Sequence, residues 1–196
     1  MLSLFQFSHE LEEDIGLGLS FKLRGVRQAP RDAVVISIHR ESSEHLHVPD
    51  NPDKWLRPLH ARLLETLSKQ GAAVVTFDVH FLDSRKVDDA ISFATAIRKS
   101  RNVVLADALT AKELPAGPSA ISYASEHNIV RTIKPFAPFS QAAIATAPFV
   151  LRRIPFKVNQ YWTFQTGTLN SPSFPVLAFQ LFTMPVYEDF FLFVST

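Results

Sequence analysis

The 196-residue chain has no cysteine, which excludes disulfides and thiolate metal sites and leaves the redox compartment unread. Glycine is scarce, six in all, and too scattered to form a loop that cradles phosphate. Gly16-Leu17-Gly18 is not a nucleotide fingerprint, because no strand precedes it and the third glycine is missing. No Gly-x-Ser-x-Gly elbow occurs, so the numerous serines lack the turn that exposes a nucleophile. Excess charge is also absent. Twenty basic residues against 19 acidic ones leave a net charge of +1 and give no reason to expect nucleic acid. Nor does any run reach the ~18 apolar residues that cross a bilayer. The uncharged segment from Val158 to Tyr187 is interrupted by Asn159, Gln160, Gln165, Asn170, Pro172, Pro175 and Pro185. The start, Met1-Leu-Ser-Leu-Phe5, has neither basic residues nor a long apolar core and does not read as a signal peptide. Taken alone, the chain is expected to be soluble.

What is present is an ordinary globular composition, 46 % apolar and 20 % charged, enough for one domain with a sizeable core. The stretch from Leu59 to Phe81 organises it. Leu59, Leu63, Leu64 and Leu67 repeat at helical spacing, Lys69 occupies the last turn, and Gly71 stands where a left-handed cap is wanted. Ala72-Ala-Val-Val-Thr-Phe77 follows, an apolar run that predicts a parallel strand covered on both faces and ending at Asp78 and His80. Ala33–Ile38 predicts another such strand, ending in His39-Arg40, and Asn102–Ala106 a third, ending at Asp107. Asp88-Asp89 opens a helix with Ala90, Ile91, Ala94 and Ile97 on its apolar side and Arg98-Lys99 at its end, signs that suit the helix dipole. A polar loop is expected over residues 41–57.

Residues 1–21 predict a leading helix striped by Leu11, Ile15 and Leu19. From Pro115 onward lie nine of the 13 prolines and 11 of the 17 phenylalanines, so short elements in irregular chain are expected there. They are a helix around Ser140–Thr146, a hairpin of Ile154–Val158 with Tyr161–Gln165, and a helix capped by Ser171-Pro172 that carries Val176, Leu177, Phe179 and Phe182. Phe190-Phe191-Leu192-Phe193-Val194 would be an exposed apolar patch if unpaired, the mark of a partner surface, missing chain or a sheet edge. The expected fold is α/β: a mixed, mainly parallel sheet covered by helices, with an antiparallel hairpin from the second half. One domain is expected over 1–196, made of an N-terminal helix and linker (1–30), a βαβαβ core (31–110) and a Pro/Phe-rich completion (111–196).

Several segments, in order, resemble the second CHASE-type family of extracytoplasmic sensor domains in bacterial cyclases, histidine kinases and serine/threonine kinases. They are Phe21-Lys-Leu-Arg24-Gly25, Ala33–Ile38, His60-Ala61 before Leu63-Leu64, Gly71–Asp78, Asp88-Asp89, Val103–Ala106, Leu151-Arg-Arg-Ile-Pro-Phe156 and Pro172-Ser-Phe174. The resemblance spans roughly residues 10–183 and implies a non-catalytic input domain on the extracytoplasmic side of the inner membrane. Such a domain binds a small-molecule or protein stimulus, is held by flanking membrane helices absent from this chain, and relays the stimulus to a cytoplasmic output module, as a possible homodimer. It implies no cofactor. It also implies that the chain falls short of the family's usual C-terminal continuation, and that Lys22, Arg24 and Arg27 form a solvated segment near a membrane anchor.

In open α/β sheets ligands collect outside the carboxyl ends of parallel strands. The expected ligand-binding residues are therefore His39, Arg40, Asp78, His80 and Asp107, with the 41–57 loop as cover. A metal there needs three or more converging ligands. Asp78 is more simply read as a loop cap, and His45-Leu46-His47 as two solvated histidines on a loop. Asp78, Asp83, Asp88 and Asp89 superficially resemble a carboxylate–magnesium site, but a helix N-terminus already accounts for Asp88 and Asp89. No metal site and no catalytic residue is expected. The competing readings are a small α/β metal-dependent hydrolase using Asp78 and His80, and a protein-interaction module.

Overall fold

The computed structural model describes residues 18–51, 54–112, 129–149, 163–165 and 171–194. In chain order these form helices α1 (Gly18–Arg24), α2 (Arg40–Leu46) and α3 (Arg57–Lys69), strand β1 (Val75–Phe77) and helix α4 (Val87–Ser100). Strands β2 (Val103–Lys112) and β3 (Ile129–Ile133) follow, then helix α5 (Ala137–Ala142), strands β4 (Ala145–Pro148), β5 (Phe164–Gln165) and β6 (Ser171–Pro172), and helix α6 (Phe174–Val194). Contacts divide the chain into two compact units. The larger comprises Arg40–Val150 and Trp162–Thr196; the smaller comprises Met1–His39 and Leu151–Tyr161, of which residues 18–39 are described.

In the larger unit β2 is the central strand. Its first half is flanked by two parallel neighbours, β1 pairing Val75–Phe77 with Val103–Leu105 and β4 pairing Ala145–Pro148 with Val104–Asp107. Its second half changes partner, Ala108–Lys112 running antiparallel to Ile133–Ile129 of β3. The sheet is thus mixed and four-stranded, within an α/β fold, and β5 and β6 form a separate antiparallel ribbon. Val103, Val104, Leu105 and Ala106 are all fully buried, because both faces of β2 are covered. Alternation sends Val103 and Leu105 into the core under α3, α4 and α5, and Val104 and Ala106 onto Phe174, Leu177 and Leu181 of α6.

Helix α3 buries Arg57, His60, Ala61 and Leu64, one stripe at i, i+3, i+4 and i+7. It ends in a Schellman motif: the Gly71 N–H donates to the Ser68 carbonyl and the Ala72 N–H to the Leu67 carbonyl, both at 3.1 Å, with Gly71 at φ +78°. Helix α4 carries Asp88 and Asp89 in its first turn and Arg98 and Lys99 in its last, and its buried side is Ala90, Phe93, Ala94, Ala96 and Ile97. A side-chain chain ties both helix ends to the sheet. The Ser68 and Ser100 hydroxyls lie 2.7 Å apart, Ser100 Oγ donates to Asn102 Oδ1 at 2.6 Å, and Asn102 Nδ2 donates to the Ala72 carbonyl at 2.6 Å.

Several expectations are corrected. Ala33–Ile38 is not a strand; it has no regular structure, and Val34 and Val35 are 84 % and 91 % exposed. The third parallel strand is β4 instead, placed where a helix over Ser140–Thr146 was expected; that helix ends at Ala142. The 72–77 run yields a strand of three residues with Thr76 exposed, so β1 is covered on one face and β2 is the strand covered on both. Residues 41–57 are not a plain loop: they hold most of α2 and the start of α3. Ile91 faces outward and Phe93 takes its place in the core. Ser171-Pro172 is β6 rather than a helix cap, and Phe179 and Phe182 of α6 are exposed. Gln165 pairs with Ser171, while Ile154–Val158, Tyr161 and Trp162 lie outside the described residues. Residues 1–17, where most of a leading helix was expected, also lie outside the described residues, and α1 runs past the expected end at residue 21 to Arg24. Phe190–Val194 belongs to α6.

Candidate functional site

The carboxyl ends of β1 and β4 come together beside β2, which does not end at Asp107 as expected but runs on to Lys112 along β3, and the residue at this change of partner is Asp107. It is the last residue of β2 paired with β4, standing opposite Pro148, and the next residue, Ala108, already pairs with β3. Its side chain is only 5 % exposed, accepts a hydrogen bond from Thr146 of β4, and feels the charge of Lys134 just after β3. Burial pushes its carboxyl above the usual aspartate range, against the pull of Thr146 and Lys134. The Oδ1 atom is buried with no hydrogen-bond partner among the described residues. A carboxylate held this way is poised to accept one further donor, because an orphaned buried acceptor costs free energy until it is satisfied.

Asp78 and His80 reach the same sheet edge from β1, but on the other face. Phe77, Val79 and Phe81 all belong to the core beneath the helices, so alternation turns Asp78 and His80 away from it, and both are exposed. Leu105 stands beside Phe77, which sets Asp107 on the core side, level with Val79. Arg40 opens α2 and forms an exposed ion pair with Glu44, Nε to Oε1 at 2.9 Å; none of its described contacts reaches Asp78, His80 or Asp107. His39 is exposed and closes the smaller unit. His45 and His47 are exposed on α2 and the turn after it, with His47 in the left-handed region at φ 52°. Among the described residues no three His, Asp or Glu side chains converge to hold a metal ion.

A second polar cluster went unread in the sequence. Arg57, 0 % exposed, opens α3; its Nη2 donates to the carbonyl and to Oδ1 of Asp83, each at 3.1 Å, and Arg85 Nε reaches the same Oδ1 at 3.1 Å. The guanidinium lies 4.9 Å from the Phe81 ring centroid and 5.8 Å from that of Phe139, in cation–π contact. One turn on, His60 is 2 % exposed in a box of Phe81, Phe93, Trp55 and Phe77, with centroids 5.0, 5.8, 6.2 and 6.3 Å away. Burial first, then the Arg57 charge, lowers the His60 pKa to about 4, and the Leu56 carbonyl opposes them only weakly. Among the described residues neither ring nitrogen has a partner that meets full hydrogen-bond geometry. Together Arg57 and Asp83 clamp the chain that leaves β1 onto the first turn of α3, which fixes the floor of the carboxyl edge. The available signal was the stripe 57, 60, 61, 64, which matches a helix face once a polar residue is allowed inside.

A model of the CHASE2 domain matches residues 2–188, nearly the whole chain. The chain belongs to the CHASE2 domain family, extracellular sensory domains of signalling receptors. No curated protein and no solved structure matches it. No helix among the described residues is long and apolar enough to cross a membrane.

Proposed function

We propose that this chain is the extracytoplasmic input domain of a bacterial transmembrane receptor, that it binds a stimulus at the carboxyl edge of its parallel strands without chemistry, and that it relays binding to a cytoplasmic output module. The family match over residues 2–188 carries this reading. The geometry supports the placement of the stimulus site. Asp107 offers a buried, unsatisfied acceptor on a rigid central strand, and Asp78 and His80 offer solvent-facing polar groups at the same edge. A ligand that donates a hydrogen bond to Asp107 replaces an unfavourable buried group with a paired one, so binding and the local packing of β2 against β4 are coupled.

The test is made in the full-length receptor, with output activity as readout. Asp107→Asn should blunt the response strongly, and Arg40→Ala and His80→Ala should abolish it while the melting temperature of the isolated chain stays within about 2 °C, since both side chains are exposed. Receptors that respond normally with all three substitutions would place the stimulus elsewhere.

A further inference from the structure

Three more polar groups gather beside Asp107 within the larger unit. Alternation along β2 puts Asp107 and Leu109 on one face, and Leu109 pairs with Thr132 of β3, so the Thr132 side chain shares that face. Its hydroxyl, like Asp107 Oδ1, is buried without a hydrogen-bond partner among the described residues. Thr146 of β4 pairs with Leu105, shares the face too, and gives Asp107 a hydrogen bond. Lys134 directly follows β3. One step past the Ala108–Ile133 pair it stands across from Asp107, exposed at the rim, and its charge reaches the carboxylate. Buried polar groups are paired in the great majority of cases, so two orphaned ones on one stretch of one face mark a place where a donor belongs.

Resting on the reading of this edge as the stimulus site, we propose that its ligand is a small zwitterion of the α-amino acid type, with the ammonium donating to Asp107 Oδ1 and Thr132 Oγ1 and the carboxylate facing Lys134. The charges select this class. An ammonium carries three donors and no acceptor, so it satisfies the carboxylate and the hydroxyl together, and its bond to the carboxylate is charge-assisted. A neutral polyol also donates, but it brings no counter-charge to a buried carboxylate whose nearest cation is exposed and screened. A plain amine brings the charge but meets Lys134, like against like. A carboxylate on the carbon that bears the ammonium turns that repulsion into attraction. Because Oδ1 is buried, the ammonium enters only as the packing around Asp107 loosens, which couples occupancy to the structure of β2.

Isothermal titration calorimetry of the purified chain with the common L-α-amino acids, each at up to ~10 mM, tests this. At least one should bind with a Kd below about 1 mM. The matching amine without the carboxylate, and the matching acid without the ammonium, should each bind at least about tenfold more weakly. Asp107→Asn should weaken the amino acid at least about tenfold. Lys134→Ala should weaken it about threefold or more and leave the amine unchanged or tighter, with the parent's far-ultraviolet circular dichroism kept in both variants. No binding of any amino acid at ~10 mM, an amine as tight as its amino acid, or binding indifferent to Asp107→Asn or Lys134→Ala overturns the inference. Calorimetry reads binding and the full-length receptor reads output, so the two readings fail separately. A receptor that needs Asp107 although no amino acid binds overturns this inference and keeps the sensory reading. A chain that binds an amino acid through Asp107 and Lys134, in a receptor whose output ignores it, supports this inference and removes the sensory one.

Discussion

Three buried polar residues, Asp107, His60 and Arg57, set the chemistry of the larger unit. Asp107 and His60 respond to pH in opposite directions. The His60 pKa falls from 6.5 to about 4 on folding, so its neutral form is favoured in the native state. Its contribution is intact above pH 6.5 and is lost as pH falls toward 4, about 2 kcal/mol of it by pH 5. His60→Leu should therefore differ little from the parent at pH 7.5, within about 1.5 kcal/mol, and be the more stable protein at pH 5, as urea unfolding at the two pH values will show. Asp107 behaves the other way. Its carboxyl is raised, so native stability is greatest below the ordinary aspartate value and is lost as pH rises through the folded value. Asp107→Asn should raise the melting temperature at pH 7, and the difference should vanish near pH 3. For Arg57 the partner matters more than the charge count. Asp83→Ala leaves the buried guanidinium without its carboxylate and should cost about 1–3 kcal/mol in denaturant unfolding. Arg57→Met, which removes the buried charge and keeps an unbranched apolar side chain, should cost less than Asp83→Ala.

At the scale of elements, capping and covering decide stability. Gly71 closes α3 at φ +78°, and a Cβ added there meets nothing within 4 Å. Gly71→Ala should therefore cost only the backbone penalty, about 1 kcal/mol in thermal or urea unfolding, and Gly71→Asn less, because asparagine tolerates the left-handed region. Strand β2 is the opposite case, held by packing from both faces. Leu105→Ala removes a fully buried side chain from the core under α3, α4 and α5 and should cost about 2–5 kcal/mol. Elements whose reasons are local were legible in advance. The 59–69 stripe with Gly71 gave α3 and its stop, and the acidic start and basic end of 88–99 gave α4. The runs at 72–77 and 102–106 marked the places of β1 and β2, although β1 is shorter than its run and β2 continues to Lys112. Of the leucine stripe of α3, Leu64 is fully buried and Leu63 and Leu67 pack at the margin of the core, while Arg57 and His60 take inner places that were missed because only leucines were counted.

At the scale of the molecule, one of the five expected ligand residues is buried and four are exposed. Asp107 was legible as the end of an apolar run, and Asp78 and His80 as the end of another; that they occupy opposite faces of the edge follows from a register no single strand contains. The sequence by itself determined what neighbouring residues settle: helical stripes, the glycine cap, apolar strand runs, the absence of thiolate and phosphate-loop chemistry, and the ordered segments that resemble the CHASE2 domain. Whether an apolar run becomes a strand depends on the edge it meets, and tertiary structure decided that. Ala33–Ile38 and Val103–Ala106 are alike in composition, yet only the second lies between two strands and two layers of side chains. The short, weakly apolar Ala145–Pro148 is a parallel strand because Val104–Asp107 offers it hydrogen bonds and Phe174 covers it. Burial of Asp107, His60 and Arg57 has the same origin. A side chain's solvation depends on what the rest of the chain packs around it, and that packing is set by contacts far apart in sequence.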